Sequence, residues 1–126
     1  MKKKSFVFGK LLNRYRISKK DIEDLNKKYE AAKNNLSSYG HLLAGRLDSE
    51  LDIIPILEKT NIFKGLITYM KDYIDQAIEV GCIPSGNYNL NILSCWINDM
   101  KEGEYNPPHT HHDGTGFSTV LFLKIP

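Results

Sequence analysis

The chain has 126 residues, the length of one domain built on one core. Its 17 Lys+Arg against 15 Asp+Glu leave a formal net charge of +2, which argues against nucleic-acid binding by bulk electrostatics. No apolar run approaches the roughly 20 residues of a membrane-spanning helix, and FVFGKLLNRY behind MKKK lacks the length and the small-residue cleavage site of a secretory signal, so a cytoplasmic protein without membrane contact is expected.

Residues 1–17 read as an N-terminal extension. They are locally basic through MKKK, Arg14 and Arg16, continued by Lys19 and Lys20, and a solvated tail and first helix face account for that cluster. Helical character begins at Ser18, whose hydroxyl can cap the backbone while Asp21 takes the acidic place of a capping box. The following apolar positions Ile22, Leu25, Tyr29, Ala32 and Leu36 recur at three and four residues and predict one packed face. Gly40 and Gly45 interrupt the pattern before a short helical piece, and Pro55 lies where a new turn of helix can begin.

From Asn61 to Val80, Ile62, Leu66, Tyr69, Tyr73 and Ala77 form one stripe, with Phe63, Ile67, Met70, Ile74 and Ile78 beside it. So wide an apolar face predicts a helix laid on a sheet through its Leu66, Tyr73 and Ile74 side. Gly81, Pro84 and Gly86 then mark a change from helical to extended chain. Leu90 to Asp99 alternates, with Leu90, Ile92, Ser94 and Trp96 on one side and Leu93, Cys95 and Ile97 on the other, as a strand does. After a turn and two prolines, Phe117 to Ile125 is rich in β-branched and aromatic residues and reads as a second strand of the same sheet system. Cys82 and Cys95 form no C-x-x-C motif and are expected to be buried, reduced thiols.

Between those two strands, NPPHTHHDG (106–114) gathers three of the four histidines and an aspartate. Residues two apart on a strand point to the same side, so His109 with His111, or His111 with Asp113, can converge on one ion. Imidazoles with one carboxylate suit a first-row transition metal. A histidine-rich surface turn that binds nothing specific is the alternative on spacing alone, but Pro107, Pro108 and the glycines after the cluster shape it.

The block WINDMKEGEYNPPHTHHDGTGFSTVLFLKIP, residues 96–126, resembles the small iron(II)- and 2-oxoglutarate-dependent oxygenases of bacteriophages and marine bacteria, and GHLLAGRLDSELDI, residues 40–53, looks like an upstream element of that family. The resemblance implies an α+β fold in a single domain. Helices across 18–80 would pack on the first strands, from residue 88 onward, of a double-stranded β-helix of the jelly-roll or cupin kind. It also implies an Fe(II) cofactor with 2-oxoglutarate and O2 as co-substrates, and oxidative decarboxylation coupled to hydroxylation of a C–H bond, in the host cytoplasm if the gene is a phage's.

The family's His-x-His pair falls on His109 and His111 when counted from Trp96. The superfamily's H-x-D pattern falls on His111 and Asp113 when counted back from Phe117, so His111 is common to both. Tyr105 and Asn98, on flanking segments, are candidates for contact with 2-oxoglutarate or substrate, with packing or a strand-edge role as the alternative. His112 would point away from the metal. Family members run on past the Lys-Ile-Pro strand to a second metal histidine and a basic residue that pairs with 2-oxoglutarate. The chain ending at Pro126 therefore reads as an incomplete, inactive N-terminal fragment. A noncatalytic metal-binding or interaction module, or a phage structural or assembly protein with a cupin-like barrel, is the competing expectation, and no feature of the sequence names a primary substrate.

Overall fold

A computed structural model describes residues 3–7, 11–38, 49–108 and 116–124. The chain opens with β1 (Lys3–Val7) and β2 (Leu11–Tyr15), an antiparallel pair in register from Lys3 opposite Tyr15 to Val7 opposite Leu11. The segment read as a solvated extension is therefore a hairpin. Period two explains it: Leu11, Asn13 and Tyr15 turn inward while Leu12 and Arg14 face water.

The hairpin docks on a helix far along the chain, α3 (Asn61–Glu79). Tyr15 donates from its hydroxyl to Asp72 Oδ2 at 2.6 Å, Lys3 Nζ lies 3.1 Å from the same oxygen, and Asn13 Nδ2 donates to Gln76 Oε1 at 3.0 Å. Tyr73 donates to the Leu11 carbonyl at 2.8 Å, and the rings of Tyr15 and Tyr69 stack at 4.7 Å.

Helix α1 (Lys19–Ala32) begins as its sequence requires. Ser18 is the N-cap, its Oγ accepting from Asp21 N at 3.1 Å while donating to the Asp21 carboxylate at 2.6 Å. Leu25 and Tyr29 are buried in the main core, with Ile22, Ala32 and Leu36 packed beside them, the stripe the periodicity predicted. A short helix α2 (Ile54–Leu57) carries Pro55 in its first turn and adds Ile56 and Leu57 to that core.

Helix α3 is capped by Thr60, which accepts from Phe63 N, and stops in a Schellman turn. There Cys82 N reaches the Ala77 carbonyl at 2.8 Å and Gly81 N the Ile78 carbonyl at 3.0 Å, with Gly81 at φ 74°. The wide apolar face of α3 is divided between neighbours. Ile62, Phe63 and Leu66 join the core of α1 and α2, whereas Tyr73 serves the hairpin and meets Phe117 edge-on at 5.0 Å. The expected packing of Leu66, Tyr73 and Ile74 as one side on a sheet is thus replaced by separate contacts.

A second antiparallel pair joins β3 (Glu50–Asp52) to β4 (Trp96–Asn98), with Glu50 opposite Asn98, Leu51 opposite Ile97 and Asp52 opposite Trp96. Ser38 bridges Leu51 on the other side of β3. The helical reading of the region before Pro55 is corrected here: Leu51 and Ile53 alternate with Glu50 and Asp52, a period of two too short to stand out between helices. The expected strand from Leu90 to Asp99 is confined, among the described residues, to Trp96–Asn98.

The expected strand from Phe117 onward has no ladder partner among the described residues up to Lys124. It lies against the helices instead, with Leu121 and Leu123 on the core and the Leu123 carbonyl accepting from Asn26 Nδ2 at 3.5 Å. Its side chains still alternate, since Val120 and Phe122 are exposed. Cys82 is exposed and Cys95 half-buried, so the expectation of two buried thiols holds for neither in full. Burial pushes the Cys95 thiol upward, which suits a reduced, unreactive group. No helix among the described residues is long and apolar enough to cross a membrane.

Candidate functional site

The β3–β4 ladder has two unlike faces. Leu51, Ile53, Cys95 and Ile97 pack on the core formed with α1 and α2. Alternation sends Glu50, Asp52, Trp96 and Asn98 to the opposite face, which is polar apart from one indole. Helices cover one side of this small sheet and leave the other chemically equipped.

Several bonds hold the ladder in place. Ile53 N donates to the Cys95 carbonyl at 3.1 Å, Asp99 N to the Ser49 carbonyl at 3.1 Å, and Asp52 N to the Ser37 carbonyl at 2.9 Å. Tyr29 reaches from α1 to Asp99 Oδ2 at 3.0 Å, tying the exit of β4 to the helix. Burial first, and then the Asp99 carboxylate, raise the Tyr29 pKa against a lowering bond from Ser49, so this phenol stays a neutral donor at ordinary pH.

Glu50 is the least expected member. It is 3% exposed, and its Oε1 has no hydrogen-bond partner among the described residues. Its neighbours on the same face are more open, Asp52 and Trp96 being half-buried and Asn98 exposed. Asp52 has one oxygen engaged, since Oδ1 accepts from Ile54 N at 2.9 Å at the start of α2. Period two in Ser-Glu-Leu-Asp-Ile is the one signal that sets this pair of carboxylates on a common face, though it says nothing of burial; the helical context on both sides hid it.

Beyond Asp99 a tight turn closes with Glu104 N on the Lys101 carbonyl at 3.1 Å and Lys101 N on Glu104 Oε2 at 2.6 Å, Gly103 taking φ 85°. Tyr105 follows, 51% exposed, and then Asn106, Pro107 and Pro108 lead to the histidine cluster. Asn98 and Tyr105 are therefore both accessible, on either side of one turn, and only Asn98 stands on the polar face of the ladder. His109, His111, His112 and Asp113, with His41, lie outside the described residues. Among the described residues no three His, Cys, Asp or Glu side chains gather as a metal site.

Comparison with known protein families, with curated proteins and with solved structures returns no match to the chain.

Proposed function

We propose that the chain carries part of a non-haem iron(II)- and 2-oxoglutarate-dependent oxygenase, its helices backing the first strands of a double-stranded β-helix. The observation that carries this reading is the sequence 106–114, a His-x-His-x-Asp series. It follows a strand whose polar face, with Glu50, Asp52 and Asn98, is turned away from the helices. An enzyme of this class needs such a wall, apolar toward its supporting helices and polar toward the reacting groups.

The donor set fits the metal. Two neutral imidazoles, or one imidazole with a carboxylate, suit iron(II) and leave positions for a chelating co-substrate and oxygen. His111 belongs to either pair, with His109 or Asp113 as its companion, and Asn98 and Tyr105 would be the residues that orient 2-oxoglutarate or substrate. When bound, the metal supplies the oxidising chemistry; the chain's residues hold it, orient the co-substrate and keep water out.

Anaerobic calorimetric titration with manganese(II), a redox-inert stand-in, tests the proposal. His111 and its companion hold the ion, and 2-oxoglutarate tightens the binding. His111→Ala abolishes it. Unchanged affinity in that variant would remove the cluster from the mechanism.

A second reading, a noncatalytic interaction module, is favoured by one observation: Leu93, Val120 and Phe122 are each more than two-thirds exposed, at 71%, 74% and 71%. Val120 and Phe122, two residues apart in an extended segment, share one side of it, and an uncovered apolar side of that kind suits a contact surface. Metal binding that depends on His111 and is tightened by 2-oxoglutarate discriminates for the oxygenase, since a noncatalytic metal-binding module needs His111 but not the co-substrate.

A further inference from the structure

A carboxylate taken out of water with one oxygen unpaired is among the costliest arrangements a fold can keep, and such groups persist mainly where a ligand answers them. Glu50 is in that position: 3% exposed, its Oε1 unpartnered among the described residues. It could have been replaced by an apolar residue at no cost to the ladder, since the backbone pairing with Asn98 needs no particular side chain.

The surroundings specify the ligand's charge. On the same face stand Asp52, a second carboxylate, Asn98, whose amide oxygen can accept, and Trp96, whose ring face attracts cations. Neither Lys nor Arg occurs in Glu50–Asp52 or Trp96–Asn98, so the face carries negative charge without a positive group of its own strands. Exposure rises from Glu50 through the half-buried Asp52 and Trp96 to Asn98, so Glu50 is the deepest of the four and Asn98 the one that meets solvent.

We propose that Glu50 is a specificity-determining residue that binds a cationic nitrogen group, an ammonium or a guanidinium, of the substrate. The N–H of the ligand donates to Glu50 Oε1, Asn98 and Asp52 take further N–H groups, and Trp96 lies against the cation. This names a substrate class for the oxygenase proposed above, a basic amino-acid side chain or amine. It rests on that reading for the reaction only, because binding itself needs neither metal nor 2-oxoglutarate.

The experiment uses the whole chain without metal, following thermal unfolding in the presence of the Nα-acetylated amides of arginine, lysine or citrulline, the citrulline derivative being a neutral isostere of the arginine one because its α-amine is blocked. Glu50→Gln and the similarly sized Glu50→Met are measured beside the wild type. The arginine or lysine derivative stabilises the wild type while the citrulline one does not, the stronger of the two cations identifying the group. Both variants lose the effect, with affinity down roughly thirtyfold or more, as for removal of one partner from a buried charged pair.

Without ligand, at least one variant unfolds at or above the wild-type temperature, because a buried polar oxygen without a hydrogen-bond partner has been removed. Loss of stability in both variants would show that the carboxylate is answered from within the chain and overturns the proposal. Equal response to the cationic and neutral amides overturns it as well. Stabilisation by magnesium(II) or manganese(II) that requires Glu50 would assign the residue to a metal instead. Failure of the manganese titration at His111 with cation binding intact would discard the oxygenase and leave the cation site at Glu50.

Discussion

Replacing Tyr15 by phenylalanine removes one oxygen and leaves the ring on which Tyr69 stacks. That oxygen donates to Asp72 Oδ2 at 2.6 Å and accepts from Asn13 Nδ2 at 2.9 Å. A hydrogen bond to a charged group contributes roughly 1.5–3 kcal/mol. Asp72 is 29% exposed and keeps Lys3 at 3.1 Å, so solvent screening brings the expected loss to about 1–2 kcal/mol. For a domain of this size that is a fall in Tm of about 3–10 °C.

The pH dependence follows from both partners. The Tyr15 hydroxyl, and then Lys3, hold the Asp72 carboxyl below its ordinary 3.8 against the effect of burial. A group depressed in the folded state adds stability that is present above its unfolded value and is lost as pH falls through the folded one. The penalty of Tyr15→Phe is therefore full at neutral pH and shrinks in acid below 3.8.

On the alkaline side, burial and then Asp72 push the Tyr15 pKa up to about 12 from 10.0. The folded state keeps a proton that the unfolded chain releases, so wild-type stability is full below the unfolded value and declines between them, a decline the phenylalanine variant lacks. Urea unfolding followed by circular dichroism in acid, at neutral pH and near pH 11 measures this as a difference that is largest in the middle. A penalty independent of pH, or none at neutral pH, would refute the claim that the hairpin is held by a charged hydrogen bond rather than by stacking alone.

Two further substitutions probe the frame behind the site. Leu25→Ala empties a position that is 1% exposed at the centre of the main core and costs about 2–5 kcal/mol in chemical denaturation, whereas a loss below 1 kcal/mol would place the core elsewhere. Gly81→Ala meets nothing within 4 Å, so its effect is backbone strain alone at φ 74°, about 1 kcal/mol, read as a lower denaturation midpoint with an unchanged slope. An unaltered midpoint would mean that α3 does not need its left-handed stop.

The helices were legible in the sequence because their causes are local. Ser18 with Asp21, the Ile22, Leu25, Tyr29 series, Pro55 at the start of α2 and Gly81 at the end of α3 act within one or two turns, and the structure uses each as read. The strands were less so. Leu11 to Tyr15 and Glu50 to Asp52 are too short for period two to outweigh their surroundings, and what makes them strands is a partner: Lys3–Val7 for one, Trp96–Asn98 for the other. Phe117 onward shows the converse, since its alternation survives while the described residues supply no ladder for it.

The candidate site divides in the same way. The proposed metal ligands, histidine and aspartate at spacing two, can be picked out of the sequence by residue type, and Asn98 and Tyr105 were visible as polar groups on flanking segments. Glu50 was not, because a glutamate in a sequence has no sign of burial. Only the pairing of β3 with β4, with Leu51 and Ile97 drawn onto the helices, turns Glu50 to the other face, where its side chain is buried. Residue chemistry and local periodicity are written in the sequence; which carboxylate loses its solvent is decided by contacts between segments far apart in the chain, and only the tertiary structure makes them.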